Sequence, residues 1–161
     1  MNNPFPAIVA HFRNHEWNFT QDEERPILRM GFSGDNGEWR CAAAVEWDET
    51  QFAFYSILPA RAAIDARPAI AELVTRINYG LFTGGFEIDW SDGEIRMKTS
   101  LLLYGEELPD EMIHQVVGQN LTTMDEYFPA FLKVLYLRVT PPDAIRKAED
   151  QQAARPRFEL N

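Results

Sequence analysis

FEIDWSDGEIRMKTSL, residues 86–101, carries the clearest secondary-structure pattern in the sequence. Apolar and charged residues alternate on both sides of Asp92-Gly93, a pair typical of a two-residue β-turn. With that pair as the loop, Glu87 faces Lys98 on a charged side, and the apolar residues share the other side. Both sides agree on one register, so the stretch is predicted to form an antiparallel β-hairpin.

Helices and strands are predicted on the N-terminal side of this hairpin. Ile70, Leu73 and Val74 follow helical spacing, and a helix is predicted to reach Leu81. Farther upstream, Asn36-Gly37 is a favoured hairpin turn between alternating apolar residues. The upstream elements are a helix over residues 4–16 and strands around residues 28–32, 41–47 and 52–58.

Two helices are predicted after the hairpin, one over residues 109–118 and one opened by a capping box at Thr123–Glu126. Pro129 is predicted to kink the second helix. The order α-β-β-β-α-β-β-α(α) predicts an α+β fold, a two-layer sandwich on a mainly antiparallel sheet. Residues 1–140 form one predicted domain, and residues 141–161 a C-terminal appendage with a short helix.

Composition excludes several classes of function. The chain has 161 residues, of which 15 are Lys or Arg and 25 are Asp or Glu, so its net charge is −10 with histidine neutral. This acidity argues against nucleic-acid binding, and 45% hydrophobic residues predict a core rather than disorder. The only cysteine, Cys41, excludes an internal disulfide. Without a signal sequence or a long apolar run, the chain is predicted to be cytoplasmic, with no membrane contact.

No chemical motif in the sequence outweighs a purely structural explanation. His11 and His15 have the i,i+4 spacing of metal ligands, and a third ligand would have to come from Glu16, His114 or elsewhere. Two histidines at this spacing are more often surface or half-buried residues near a helix end, and Cys41 lies on the inward side of a strand, where a buried thiol is expected. The sequence therefore predicts no enzyme, no metal site and no cofactor.

One face of the predicted sheet favours binding instead. If Cys41, Ala43 and Val45 point to the core, the other side of the second and third strands is apolar where a solvated face would be polar. The residues of this candidate interface are Ala42, Ala44, Ala53, Tyr55 and Ile57. Either a helix of the same chain covers the face, or a partner does, whether a second copy or a client peptide.

Four segments resemble one known family. They are AIAELVTRINY (residues 69–79), GFEID (residues 85–89), DGEIR (residues 92–96) and LTTMDEYFP (residues 121–129). The sequence resembles the YbjN family, described as regulators of bacterial sensory transduction, over residues 5–137. The resemblance implies the fold of type III secretion chaperones, which are small, acidic, usually dimeric proteins that hold an effector segment in extended form. No catalytic motif is carried over, because the matching segments mark a helix, a hairpin and a capped helix.

These observations predict a non-enzymatic protein-binding or regulatory module with a chaperone-like fold. A protein or peptide client is expected to bind at a sheet edge or on the apolar face, and a homodimer is expected. The net charge favours a basic or amphipathic client. The alternative is a regulatory domain that senses a small molecule in a pocket between helix and sheet.

Overall fold

The computed structural model describes residues 3–46, 51–103 and 108–153. Within these ranges the chain forms four helices and six strands. The helices are α1 (Phe5–Asn14), α2 (Arg67–Tyr79), α3 (Asp110–Leu137) and α4 (Pro141–Ala153). The strands are β1 (Phe19–Gln21), β2 (Ile27–Ser33), β3 (Glu38–Val45), β4 (Gln51–Ile57), β5 (Gly85–Ile88) and β6 (Ile95–Leu102).

The strands form one antiparallel sheet in the order β1-β2-β3-β4-β6-β5. Strands β1 to β4 make a meander, β5 and β6 make a hairpin, and the pairing of β4 with β6 joins these two halves. The predicted α+β class and antiparallel sheet are confirmed. Strand β1 is not predicted from the sequence, because three residues are too few to show alternation. Trp47 and the predicted turn at Asp48–Glu49 lie outside the described residues.

The β5–β6 hairpin has a longer loop than the sequence predicts. Glu87 faces Arg96 rather than Lys98, so the predicted two-residue loop is wrong and the register is shifted by two residues. A shift of two leaves every side chain on its predicted side of the sheet, because strand side chains alternate with a period of two. Gly93 permits this loop, because its φ of +78° is a conformation that other residues rarely adopt.

The β2–β3 hairpin is also centred differently from its prediction. The Gly34 amide donates a hydrogen bond to the Gly37 carbonyl at 2.8 Å, so Asp35 and Asn36 form the loop and the predicted Asn36-Gly37 turn is wrong. Gly37 does not have a positive φ. Glycine is required here because the backbone passes close to α3, and a Cβ at this position would collide with the ring of Phe128.

Helix α3 is continuous where the sequence predicts two helices. It runs for 28 residues through Gly118 and Thr123, and Thr123 is buried inside the helix rather than at a cap. The predicted break is wrong because burial of a long apolar stripe overrides the weak helix propensity of glycine and threonine. The residues of this stripe include Ile113, Val117, Leu121, Met124, Phe128 and Phe131.

Asn120 ties α3 to the middle of the sheet. Its side chain is fully buried, and its amide nitrogen donates to the carbonyls of Phe54 on β4, at 2.9 Å, and of Met97 on β6, at 3.1 Å. Strands β4 and β6 join the two halves of the sheet, so these bonds fasten the helix to both. A buried amide left without such partners costs about 1–3 kcal/mol.

Pro129 lies inside α3 and supplies no amide for the carbonyl of Asp125, four residues earlier. The loop between β2 and β3 replaces the missing donor. The side-chain amide of Asn36 donates to that carbonyl at 3.1 Å, and the backbone amide of Asn36 donates to the Asp125 carboxylate at 2.8 Å. The hairpin loop is therefore docked on the helix at the proline.

The helices α1, α2 and α3 pack on one face of the sheet, and α4 packs on α2 and α3. This arrangement is the predicted two-layer sandwich. Ala144 and Ile145 of α4 are buried in the same core, so the packed body extends past the predicted boundary at residue 140. Residues 154–161, the end of the predicted appendage, lie outside the described residues.

Asn36→Ala is expected to lower the free energy of unfolding by about 1–2 kcal/mol, because it leaves the Asp125 carbonyl without a donor. Urea unfolding followed by circular dichroism measures this change. Combined with Pro129→Ala, which restores a backbone amide to that carbonyl, the cost of Asn36→Ala should fall by at least about half. Asp35→Ala in the same loop is the matched control, and an equal cost of Asn36→Ala in both backgrounds would contradict the docking.

Candidate interaction surface

The face of the sheet that points away from the helices is the candidate interaction surface and is called the outer face. Each strand contributes every second residue to it, because side chains alternate across a sheet. In β2 and β3 these residues are Ile27, Arg29, Gly31, Ser33, Glu38, Arg40, Ala42 and Ala44. In β4, β5 and β6 they are Gln51, Ala53, Tyr55, Ile57, Gly85, Glu87, Arg96, Lys98, Ser100 and Leu102.

All five predicted interface residues lie together on the outer face. Ala42 faces Tyr55 and Ala44 faces Ala53 across β3 and β4, and Ile57 follows on the same side of β4. Ala42 and Ala53 are only 9% and 4% exposed, yet neither belongs to the hydrophobic core beneath the helices. The alanines thus form a low apolar floor between larger neighbours. A role in binding for these five residues stays a prediction.

Basic side chains surround this apolar floor. Among the strand residues of the outer face, only Glu38 and Glu87 are acidic, whereas four are basic. The basic residues are Arg29, Arg40, Arg96 and Lys98. The face is therefore locally positive in a chain whose net charge is −10. Alternation at every second residue is the sequence signal that places these cations beside the alanines.

Glu87 organises two of the four cations. Its carboxylate accepts a hydrogen bond from Nε of Arg96 at 2.8 Å and is also paired with Lys98. Burial raises the pKa of Glu87, but the hydrogen bonds from Lys98 and Arg96 outweigh it, and the pKa lies below its usual value. The guanidinium of Arg96 lies 4.7 Å from the centre of the Tyr55 ring, a cation–π contact.

Arg29 and Arg40 differ in how far their charge is balanced. Arg29 lies 3.5 Å from the carboxylate of Asp22, which precedes β2. Arg40 is exposed and has no ion pair with any other described residue. It faces Ile57 across β3 and β4, at the border of the alanine floor. Among the four basic residues, Arg40 is therefore the one whose charge no ion pair with a described residue balances.

The two edges of the sheet are poorly suited to pairing with an added strand. At the β5 edge, the side chain of Asn78 on α2 bonds both the amide and the carbonyl of Phe86, at 2.8 and 2.9 Å. At the opposite edge, β1 has only three residues. Covered or very short edges do not readily accept an added strand. An added strand is therefore less favoured at these edges than at a long, uncovered edge strand.

Comparison with known proteins now identifies the family. The YbjN family model, described as "Putative bacterial sensory transduction regulator", matches residues 6–133. This chain belongs to the YbjN family. A crystal structure of YbjN from E. coli, described as a putative transcription regulator, matches with a TM-score of 0.58 and 13% identity over 92% of both chains. That likeness shows a shared fold.

A second solved structure, the HopA1-SchA chaperone-effector complex, contains a chain similar to the present one with a TM-score of 0.48 and 13% identity. The match covers 76% of the present chain and 91% of that one. None of the curated proteins compared with the sequence matches it. In the part of the chain that the structure describes, no helix is long and apolar enough to cross a membrane.

The other residues singled out in the sequence lie away from the outer face. Cys41 is 2% exposed on the inner side of β3, as predicted. His11, His15 and His114 lie together where α1 meets α3, whereas the sequence left open which residue would accompany the first two.

A groove of about 460 Å³, open to solvent, separates α2 from the C-terminal end of α3 and is lined in part by Arg61, Asp65, Tyr136 and Arg138.

Glu87→Gln is expected to lower the free energy of unfolding at pH 7 by about 0.5–1 kcal/mol, because it removes two partly exposed ion pairs. The pKa of Glu87 is depressed in the folded state, so its contribution is present above its unfolded pKa and is lost as the pH falls through the folded value. Urea unfolding at pH 7 and at about pH 3 should therefore show the difference and then its disappearance. Glu23→Gln is the control, and a difference that stays constant with pH would contradict the pairing.

The Cys41 thiol is expected to be inert in the folded protein. Burial raises the pKa of Cys41 to about 11, with Ser56 and Trp39 lowering it only in part. Because the thiolate is the reactive form, an aromatic disulfide reagent at pH 8 should modify the native protein at least about 100-fold more slowly than the urea-unfolded chain. Equal rates in the two states would show that the thiol is accessible.

Proposed function

We propose that this protein is a non-enzymatic regulatory module of the YbjN family that binds a protein or peptide partner on the outer face of its sheet. The observation that carries the proposal is an apolar floor of alanines beside Tyr55, with no described helix over it. The exposed face of an antiparallel sheet is normally polar throughout. Small residues between strands let another chain approach the sheet closely.

The partner is expected to present acidic residues to this face. Four basic strand residues border the alanine floor, and Arg40 has no ion-pair partner among the described residues. Local charge governs contact and orientation at short range, whereas the net charge of −10 acts at longer range. The local charge pattern therefore favours an acidic partner, in place of the basic client that the net charge alone favours.

A homodimer through the outer face would meet electrostatic opposition. A twofold interface brings the same patch of two copies together, so the basic residues of one copy would face those of the other. The predicted homodimer stays a prediction, which the solution mass tests. The buried, unpaired Cys41 is compatible with the reducing cytoplasm, which we propose as the compartment.

A second candidate function is the sensing of a small molecule. The groove between α2 and the end of α3 has a volume within the range of ligand sites, and it places Arg61, Asp65 and Arg138 near one another. A ligand held there would leave the outer face free. Variants of the outer face would then leave ligand-induced thermal stabilisation unchanged, which separates this function from the first.

Capture by the immobilised full chain from a bacterial lysate tests the proposed function. Arg40→Glu is expected to reduce the captured partner at least about tenfold, because it reverses the unpaired charge of the face. Ala44→Gln, which adds bulk to the floor without charge, is expected to have a similar effect. Arg13→Glu makes the same charge change on α1 and is the control. Light scattering of the same proteins gives their mass in solution.

Two results would overturn this assignment. Equal capture by the wild type, Arg40→Glu and Ala44→Gln would show that the outer face is not the binding surface. A captured segment that is basic rather than acidic would contradict the expected chemistry of the partner. A dimer that Ala44→Gln dissociates would instead identify a second copy as the occupant.

A further inference from the structure

The three histidines of the sequence lie together where α1 meets α3. One nitrogen atom each of His11, His15 and His114 lies within 4.8 Å of the corresponding atoms of the other two. The ring centroids are 4.5 Å apart for His11 and His15, and 5.6 Å apart for His15 and His114. Helical spacing accounts for the first pair. The packing of α1 against α3 adds the third ring from a distant part of the chain.

Asp110, the first residue of α3, lies beside the same rings. Its carboxylate accepts a hydrogen bond from Nδ1 of His11 at 2.6 Å, and its other oxygen lies 3.5 Å from Nε2 of His15. With Nδ1 occupied in this way, Nε2 of His11 is left to bind a ligand. Histidines that coordinate metal ions usually give their second nitrogen to a carboxylate or a carbonyl.

We propose that His11, His15 and His114 bind one divalent transition-metal ion. Zn²⁺ is taken as the representative ion. Three imidazoles suit zinc, nickel or copper, whereas magnesium and calcium take oxygen ligands. A water molecule, or the Asp110 oxygen that now lies beside His15, would complete four-coordination. The site is separate from the outer face and does not depend on the proposed partner.

The cluster combines one fixed ligand with two adjustable ones. Tetrahedral coordination with bonds of about 2.0–2.1 Å places nitrogens roughly 3.4 Å apart, which is closer than the 4.8 Å limit of the present cluster. His15 and His114 are exposed and can close the distance by side-chain rotation. His11 is 2% exposed and held by Asp110, so it keeps its position.

A bound ion would join the end of α1 to the start of α3. Because the unfolded chain does not hold His114 beside the other two histidines, binding would stabilise the folded state by mass action. The competing explanation is a hydrogen-bonded cluster in which Asp110 partners His11 and His15 without an ion. That cluster gives His114 no necessary part, and this difference makes His114 the decisive residue.

The test is titration of the full, untagged chain with Zn²⁺ by calorimetry, and with Co²⁺ by its visible absorption. One ion per chain is expected. His114→Gln and His15→Gln should each weaken binding at least about tenfold, and the double variant should abolish it. Both residues are exposed, so metal-free thermal unfolding is expected to be unchanged in the variants. Asp143→Asn, a remote exposed carboxylate, is the control.

Several outcomes would overturn the proposal. One is no binding at about 100 µM Zn²⁺, where a site with a Kd of about 1 µM would be saturated. Another is binding that the double histidine variant leaves unchanged, which would assign the heat to surface carboxylates. In thermal unfolding, Zn²⁺ should raise the midpoint of the wild type and not that of the double variant. Equal rises would also rule out the site.

Discussion

The buried amide of Asn120 is the contact on which the rest of the fold depends. Its nitrogen bonds carbonyls of β4 and β6, the two strands that join the meander to the hairpin. Sliding or rotation of α3 would leave this buried amide nitrogen without its partners, at a cost of about 1–3 kcal/mol. The long helix is thereby held in one position over the sheet.

The position of α3 also determines two contacts with other parts of the chain. Near its start, the helix presents Asp110 and His114 to the end of α1. Just past its midpoint, it presents Asp125 to the β2–β3 loop, where Asn36 supplies the donor that Pro129 lacks. Since the helices occupy one face of the sheet, the opposite face keeps an apolar floor and a basic border outside the core.

Much of the sheet could be predicted from alternation alone. The predicted register of the β5–β6 hairpin is two residues out, but each side chain stays on its correct face because the strand period is two. For the same reason Ala42 and Tyr55 are correctly grouped. The continuous α3 could not be predicted, because Gly118 and Thr123 locally favour a break that burial removes.

The less predictable features all join residues that are far apart in sequence. The contact of Asn36 with Asp125 spans 89 positions, and the meeting of His15 with His114 has a similar separation. Neither leaves a periodic signal in the local sequence. The i,i+4 spacing of His11 and His15 indicates only a shared helix face, and the third ring follows from the packing of two helices.

The order of the elements has a consequence for synthesis of the chain on the ribosome. The meander ends at Ile57, and the helix that covers its inner face ends about 80 residues later, at Leu137. At roughly 5–20 residues per second, that interval lasts about 4–16 s. Until α3 has been synthesised and has packed on the sheet, the rings of Phe52 and Phe54 lack the cover that this helix provides in the folded chain. The yield of folded protein in the cell therefore depends on what covers the inner face of the meander until translation is complete.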